Sequence, residues 1–319
     1  MGRILVVRGG AIGDFVLTLP AIQLIRESLP NPHISVLGYR NIVDVALEFG
    51  IVDEARSIEY GALAKFFAPG AELDRELMRW FGSFDLVVSY LYDPDGYFAE
   101  NVERCGVETF LQGIHKVEDD PAAGHAARQL ARPLERLAMF LENPAPTLDF
   151  ETGGAAGESR LLAGIEADVP LIAIHPGSGS PRKNWPLEHW VETCLQLNQA
   201  RGSGRFVVVT GEAEGESGSE FSRRLRAAGL NVTRWHAEPL PDLALALRKC
   251  VLFLGHDSGI SHLAAACGTR SVLVFGPTSA DIWAPQNPGV TVVASVSGQM
   301  DGVPPGAVTA AAVDALSES

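Results

Sequence analysis

The stretch 251–277, VLFLGHDSGISHLAAACGTRSVLVFGP, limits the possible folds of this chain more than any other. Its apolar run 251–254 has the length and the flanking residues of a buried strand, and the chain then breaks at a polar turn. Ser258 is a good N-cap for the helix that follows, and Gly268 occupies the C-terminal cap position before a second apolar strand, 271–275. The pattern predicts a strand, a tight turn, a helix and a strand, which is the unit of an open parallel sheet.

The turn inside this unit is predicted to face a ligand. In open parallel sheets such turns lie at the carboxyl edge of the strands, where the first amides of the helix point at whatever binds there. The amides of Ser258 and Gly259 would suit a diphosphate. Asp257 only accepts hydrogen bonds, so it would orient the turn or bind a sugar hydroxyl rather than a phosphate. The alternative is that Asp257 and Ser258 do no more than cap a helix.

Composition narrows the class of protein. The chain has 319 residues, of which 46% are hydrophobic and 20% are charged, and this suits an ordinary globular protein of two domains. Its formal charge of −14 argues against nucleic acid as the main partner. The four cysteines are far apart in sequence, so neither a zinc site nor a disulfide framework is expected. No basic leader and no apolar run approaching ~18 residues is present, so we expect a cytoplasmic protein.

Strand-like and helical segments alternate along the whole chain, which is the pattern of doubly wound α/β folds. The stretch 144–157, PAPTLDFETGGAAG, lacks periodicity and is rich in Pro and Gly, so it is predicted to link two domains. We therefore expect one Rossmann-like domain over 1–150 and a second over 151–304. The segment 305–319 is predicted to form a helix that crosses back to the first domain.

A second glycine turn follows the first strand, in the sequence RGGAIGD. Its spacing is not that of GxGxxG, which argues against a nicotinamide-dependent oxidoreductase. Asp14 lies near the amino end of the next helix, where the helix dipole favours its ionised form, and it could take a proton from a sugar hydroxyl. Gly13 and the glycines before it would let a substrate approach the backbone. The alternative is that Asp14 is only a helix cap.

A loop of small, hydrogen-bonding residues, HPGSGSPRKNWP, follows the first predicted strand of the second domain. Around His175, Gly177 and Ser178 the main-chain amides could reach a phosphate, and Lys183 would supply a point charge against a leaving diphosphate. The spacing is not GxxxxGK[ST], so a P-loop is excluded. A surface loop with a solvated lysine is the alternative interpretation.

Acidic residues end the next predicted strand. Glu212, Glu214 and Glu216 alternate with small residues, and a carboxylate in this place commonly binds ribose hydroxyls or a base amine. The spacing leaves open which of the three would do so. A run of glutamates is also typical of a solvated surface.

A basic stripe is predicted in the first domain. His125, Arg128, Arg132 and Arg136 recur at spacings of three and four, on one side of a predicted helix in an otherwise acidic chain. They could meet an anionic acceptor, or they could be the solvated face opposite the apolar positions. Pro133 would allow a break that splits the stripe.

Four motifs taken together resemble the heptosyltransferase family of bacterial glycosyltransferases, family 9. In chain order they are Gly13-Asp14 with Leu17, Pro20 and Arg26; His175-Pro176-Gly177 with Lys183 and Trp185-Pro186; Gly211 to Glu214; and Asp257-Ser258-Gly259 with His262 and Ala264 to Ala266. The resemblance runs nearly end to end. It implies the GT-B architecture, in which two Rossmann-like domains face a cleft, with the acceptor on the first and the nucleotide-sugar on the second. It also implies inverting, metal-independent transfer of heptose from an ADP-sugar to the inner core of lipopolysaccharide, without a cofactor.

The resemblance also implies roles for single residues. Asp14 matches the general base, and Lys183 matches a lysine that faces phosphate. The implied donor-binding residues are His175, Gly177, Ser178, Glu214, Asp257, Ser258, Gly259 and His262. The implied acceptor region contains Gly13, His125, Arg128 and Arg132. The implied partners are a nucleotide-sugar and an anionic glycan or glycolipid, with a peripheral contact to the inner membrane left open and the oligomeric state undetermined.

Three other functions stay open at this point. The chain could use another nucleotide-sugar or modify another glycan. A nucleotide-sugar epimerase shares the GT-B architecture but needs different carboxylates, and a catalytically silent nucleotide-binding homologue would carry the same motifs.

Overall fold

The computed structural model describes residues 2–151, 157–202 and 204–317. The chain forms two compact units, of which one contains the chain up to Pro144 and the short segment from Leu148. The other contains Ala145–Thr147 and the chain from Gly157 onward. Residues 152–156 of the predicted linker lie outside the described part. In the described segments, no helix has both the length and the apolarity needed to cross a lipid bilayer.

The first unit is built on a five-stranded parallel sheet with the order β3-β2-β1-β4-β5. Its strands are β1 (Arg3–Val7), β2 (His33–Gly38), β3 (Glu54–Ser57), β4 (Leu86–Ser89) and β5 (Thr109–Gln112). Its helices are α1 (Ile12–Val16), α2 (Leu19–Ser28), α3 (Arg40–Glu48), α4 (Arg75–Phe81), α5 (Tyr97–Glu103) and α6 (Ala126–Ala131). The central strand β1 is buried along its apolar residues, as expected for a sheet covered on both faces. Phe66, Phe81 and Phe98 pack together in its core.

The second unit is built on a six-stranded parallel sheet with the order β11-β10-β9-β6-β7-β8. Its strands are β6 (Leu171–Ile174), β7 (Arg205–Thr210), β8 (Val232–His236), β9 (Leu252–His256), β10 (Ser271–Phe275) and β11 (Val290–Ala294). Its helices are α7 (Leu187–Arg201), α8 (Gly215–Ala227), α9 (Leu240–Leu247), α10 (Gly259–Ala266), α11 (Ala280–Trp283) and α12 (Pro305–Ser317). The doubly wound parallel sheets predicted from the alternating pattern are thus confirmed in both units.

The strand orders bring distant turns together. In the second sheet β6 pairs with β9, so the loop that follows β6 and the turn that follows β9 leave the same edge side by side. In the first sheet β1 lies between β2 and β4, and the Asp14 turn follows β1. At such positions the connections of a doubly wound sheet diverge to opposite faces and leave a crevice at the carboxyl ends of the strands.

Two predicted helices differ from the structure. The single amphipathic helix predicted after β1 is two helices, α1 and α2, because Pro20 has no amide hydrogen to continue one helix and instead lies in the first turn of α2. The sequence also predicts a helix over 158–165 at the start of the second domain, and this prediction is wrong, because only a 3₁₀ turn, Arg160–Leu162, forms there. The Ser159 hydroxyl and the Arg160 amide instead bind the carboxylate of Asp242.

The last helix, α12, packs on α7 and β10 of the second unit. Val308, Ala312 and Leu316 contribute its buried face to the second core. The prediction that it braces the first domain stays a prediction.

Candidate functional site

Asp14 is held by its own turn at the carboxyl end of β1. Its Oδ2 accepts a hydrogen bond from the amide of Ala11 at 3.0 Å, which places the carboxylate at the amino end of α1. The side chain is still 39% exposed, so one face of the carboxylate remains accessible. Gly10 has a φ of +105°, and a Cβ built there would lie 2.7 Å from Asp14 Oδ2. The turn therefore requires glycine at this position both for its backbone conformation and for the close carboxylate.

A buried arginine faces the same carboxylate. Arg8 is the residue directly after β1, its side chain is 3% exposed, and its Nη2 lies 3.4 Å from Asp14 Oδ1. The guanidinium also lies over the Tyr90 ring, at 5.5 Å from the centroid. Burial lowers the pKa of Arg8, and the charge of Asp14 opposes that shift. Arg8 and the Ala11 amide therefore hold the Asp14 carboxylate from two sides and fix its orientation.

The second candidate turn lies at the end of β9. Ser258 is the N-cap of α10, as predicted, and its hydroxyl accepts from the amide of Ser261. The first intrahelical bond runs from the His262 amide to the Ser258 carbonyl, so the amides of Ser258, Gly259 and Ile260 precede it. The amino end of this helix therefore offers donors and a positive dipole to an anion.

Asp257 and Lys183 form an ion pair at this edge. Lys183 Nζ lies 2.7 Å from Asp257 Oδ2, and the carboxylate is 6% exposed whereas the lysine side chain is 30% exposed. His262 Nε2 lies 4.0 Å from the other oxygen, Asp257 Oδ1, and its side chain is also buried. Because Lys183 ends the 3₁₀ turn Pro181–Lys183 after β6, the pair joins the two neighbouring turns. Lys183 is therefore ion-paired and only partly exposed, unlike the solvated lysine of the alternative interpretation.

The remaining donor-side residues lie along the loop after β6. His175 is buried, and its Nδ1 donates to the Val209 carbonyl at 2.9 Å. Burial is the main cause that lowers the pKa of His175, and the hydrogen bond to Val209 and the charge of Glu214 oppose the shift. The Ser178 hydroxyl lies 2.7 Å from both Asn184 Oδ1 and the Ser180 carbonyl, so it shapes the loop itself.

Glu214 is the acidic residue that meets this loop. Its Oε2 accepts from the Gly211 amide at 2.9 Å, and its side chain lies against Gly177. A Cβ at Gly177 would come within 2.4 Å of Glu214 Cγ, so the glycine is needed for this approach. Glu212 begins the same 3₁₀ turn and Glu216 lies in the first turn of α8, and both are exposed, whereas Glu214 packs against the loop after β6.

Sequence reasoning missed His256, the last residue of β9. Its Nε2 accepts two hydrogen bonds, from the Trp185 amide at 2.8 Å and from Trp190 Nε1 at 3.1 Å. The ring proton therefore sits on Nδ1, which faces the Gly177 carbonyl at 3.4 Å. This fully buried histidine ties the loop after β6 to β9 and so positions Gly177 and the turn that carries Lys183.

We expect His256→Phe to lower the free energy of unfolding by about 2 kcal/mol or more, because Trp185 and Trp190 would each lose a buried acceptor. His256→Gln retains an acceptor and is expected to lose less. Chemical denaturation followed by tryptophan fluorescence measures both. Equal stability of wild type and His256→Phe would contradict the tethering role.

The same residue predicts an acid dependence of stability. Burial first, and repulsion from His175 second, lower the pKa of His256 from 6.5 to about 3. The unfolded chain binds a proton there below about pH 6.5 while the folded chain does not. Its stabilising contribution is thus full above pH 6.5 and falls as the pH decreases toward 3. Denaturation midpoints of His256→Gln should fall less steeply over this range than those of wild type.

The basic stripe of the first domain differs from its prediction. Helix α6 ends at Ala131 and a 3₁₀ turn, Arg132–Leu137, follows, so Pro133 splits the stripe. His125 is buried and caps α6, its Nδ1 accepting from the Ala127 amide at 3.3 Å. Arg128 donates to the Leu141 and Glu142 carbonyls, and Arg132 donates to the Ala123 carbonyl. These bonds hold the local chain together, and acceptor binding by His125, Arg128 and Arg132 stays a prediction.

Two missed residues share a signal that the sequence does contain. Arg8 and His256 each stand at the polar end of an apolar strand, and each directly precedes a turn that contains glycine and an aspartate. At the carboxyl edge of a parallel sheet such positions face the ligand side. A polar residue at the end of a buried strand is therefore a candidate site residue, as are the residues of the turn that follows it.

The family model for glycosyltransferase family 9 (heptosyltransferase) matches residues 113–303, more than half of the chain. Lipopolysaccharide heptosyltransferase 2 of Escherichia coli K12 is 28% identical over 316 residues, which cover 93% of this chain and 89% of that protein. The enzyme of the same name from Salmonella typhimurium is 29% identical over 162 residues, 49% of this chain and 46% of that protein.

A solved structure extends the likeness to the whole fold. The structure of the E. coli ADP-heptose lipopolysaccharide heptosyltransferase II superimposes with a TM-score of 0.77 at 17% sequence identity, and the match covers 99% of each chain. The two parallel-sheet units of this chain therefore have the GT-B architecture that the resemblance implied. Family model, fold and the clustered motifs agree, and the chain therefore belongs to glycosyltransferase family 9, the heptosyltransferases.

Proposed function

We propose that this glycosyltransferase transfers a heptose from ADP-heptose to the inner core of lipopolysaccharide. The names of its relatives support the acceptor, and the name of the solved E. coli enzyme supports the donor. The reaction is proposed to invert the anomeric centre and to need neither a metal ion nor a cofactor. The acceptor is then an anionic glycolipid, handled at the cytoplasmic face of the inner membrane.

The observation that carries the mechanism is the accessible, oriented carboxylate of Asp14. One of its oxygens is bound by the Ala11 amide, and the other faces the Arg8 guanidinium. We assign Asp14 as the general base that takes the proton of the acceptor hydroxyl. Attack by that oxygen on the side of the sugar opposite the departing diphosphate would invert the anomeric centre.

The donor diphosphate is proposed to bind at the amino end of α10, with Lys183 beside it. Negative charge grows on the diphosphate as its bond to the sugar breaks, and oriented amides and a lysine lower the energy of that state. These groups would supply the positive charge that a metal ion supplies in other transferases. In the structure the buried Asp257 holds Lys183 Nζ at 2.7 Å and so fixes its position.

Glu214 is proposed to bind the ribose of the nucleotide. It lies at the end of β7, next to the loop after β6, where carboxylates of Rossmann-like folds meet ribose hydroxyls. His262 and His175 are proposed to complete the donor site as buried neighbours.

Ligand-induced stabilisation followed by a transfer assay tests the proposal. A panel of ADP, UDP, GDP and CMP with their sugar conjugates is screened by thermal shift, because a ligand that binds only the folded state raises the melting temperature with its affinity. We expect the adenine series to give the largest shifts. Incubation of ADP-heptose with a heptose-deficient inner-core oligosaccharide should then yield a heptosylated product whose anomeric configuration, read by NMR, is inverted, in EDTA as well as in Mg²⁺. Shifts confined to another nucleotide, or no transfer, would contradict the proposal.

A further inference from the structure

An exposed aromatic pair lies beside the Asp14 turn and has no part in the mechanism above. The Tyr92 ring packs against the His115 ring with 4.6 Å between centroids and 59° between planes. Tyr92 is nevertheless 64% exposed, and His115 is also exposed. A large aromatic side chain with one side supported and one face open to solvent is a surface suited to binding another ring.

The sheet register brings the two residues together. Ser89 at the end of β4 pairs with Gln112 at the end of β5, and Tyr92 and His115 each lie three positions beyond these partners. Both therefore leave the carboxyl edge of the first sheet. Since β4 also pairs with β1, this is the edge from which the Asp14 turn emerges.

The loop that carries Tyr92 is held on both sides. The buried Tyr90 donates its hydroxyl to the Leu130 carbonyl at 2.7 Å. Gln112 Nε2 donates to the Leu91 carbonyl at 3.0 Å. Asp93 accepts from the Phe98 and Ala99 amides and so anchors the start of α5. Because residues on both sides of Tyr92 are anchored by hydrogen bonds, the loop is held in a conformation that leaves the Tyr92 ring exposed.

A short chain of contacts connects the pair to the candidate base. Arg8 Nη1 lies 3.5 Å from the His115 carbonyl oxygen, and Arg8 Nη2 lies 3.4 Å from Asp14 Oδ1. On the other side, a Cβ at Gly9 would touch Leu91, the residue before Tyr92. The Arg8 guanidinium therefore lies between the carboxylate of Asp14, the candidate base, and the backbone of His115, whose ring supports Tyr92.

We propose that Tyr92, supported by His115, is a stacking platform for a pyranose ring of the acceptor, next to the ring whose hydroxyl Asp14 deprotonates. This inference rests on the proposed glycosyl transfer. A sugar presents a face of C–H bonds that packs on the negative face of an aromatic ring, while its hydroxyls stay in water or reach polar neighbours. Tyr92 belongs to the unit that carries Asp14, whereas the donor-side residues Lys183, Glu214 and Asp257 belong to the other, so the acceptor is the favoured occupant over the adenine of the donor.

The test is a comparison of Tyr92→Ala and Tyr92→Phe with wild type. Binding of a deacylated, heptose-deficient inner-core oligosaccharide is measured by calorimetry, and the KM for the same oligosaccharide is measured at saturating ADP-heptose. We expect Tyr92→Ala to raise both the Kd and the KM about fivefold to tenfold, the size of one lost aromatic stacking contact. Tyr92→Phe keeps the ring and should stay close to wild type, and the Kd for ADP should not change in either variant.

Phe140→Ala is the matched control. Phe140 belongs to the same unit, is 63% exposed and follows the 3₁₀ turn Arg132–Leu137, so the substitution removes an exposed aromatic ring that is not on the loops after β1, β4 and β5. It should leave the acceptor Kd and KM unchanged. Melting temperatures of all variants show whether the fold is retained.

The outcomes are distinct. If Tyr92→Ala leaves the acceptor Kd unchanged, the proposal that Tyr92 stacks on the acceptor is wrong. If Tyr92→Ala instead raises the Kd for ADP, Tyr92 binds the nucleotide, and the proposal is also wrong. If wild type does not bind the oligosaccharide, the platform for this acceptor class is also overturned. If wild type binds it but transfers no heptose, the proposed function is contradicted, and the change in Kd still decides the role of Tyr92.

Discussion

Asp14→Asn is expected to reduce the rate of heptose transfer about 10²–10⁴-fold, the usual contribution of a positioned general base. Asparagine keeps the size of the side chain and can still accept from the Ala11 amide, but it cannot take a proton from the acceptor. The affinity for ADP should be unchanged, because the donor-side residues belong to the other unit. Single-turnover transfer kinetics and calorimetry with ADP measure the two quantities.

The control must separate catalysis from stability. Loss of the Asp14 charge leaves the buried Arg8 without its carboxylate partner, so some loss of stability accompanies the substitution. Asp74→Asn is a matched variant, because Asp74 is a carboxylate of the same unit that accepts two amide hydrogen bonds at the start of α4. It should lower the melting temperature without abolishing transfer. If Asp14→Asn loses ADP affinity in proportion to its activity, Asp14 is structural and the mechanism is wrong.

Lys183→Met is expected to lower kcat/KM for the donor about 10²–10³-fold, as for the loss of one group that stabilises developing charge. The acceptor KM should change much less. Arg182→Met provides the matched control, since Arg182 is an exposed cation in the same 3₁₀ turn. Steady-state kinetics with each substrate varied in turn measure the difference.

Lys183 could affect the donor kinetics directly, or only by neutralising the buried carboxylate of Asp257, and a double-mutant cycle distinguishes these two roles. If the lysine serves only to neutralise the buried carboxylate, Lys183→Met combined with Asp257→Asn should recover donor kinetics as well as stability. We expect the double variant to regain stability, because no unpaired buried charge remains, but not donor use. Recovery of kcat/KM for the donor would remove Lys183 from the mechanism.

Much of this protein follows from local sequence alone. Apolar strands, glycine turns and caps are short-range features, so the parallel α/β units, the turn after β9 and the N-cap role of Ser258 were predictable. Local patterns were wrong where a competing interaction decided the outcome. Pro20 divides α1 from α2, and Asp242 binds the segment predicted to form a helix over 158–165.

The assembly of the candidate site depended on tertiary structure. Lys183 and Asp257 are 74 positions apart, Trp185 and His256 are 71 apart, and Arg8 and His115 are 107 apart. Their contacts depend on which strands are neighbours, and the periodicity of a strand does not encode its place in the sheet. The sequence by itself determined the fold class and the residue types at each strand end. Strand order then decided which of those residues meet, because pairing β6 with β9, and β1 and β5 with β4, places the turns at their carboxyl ends within reach of one another.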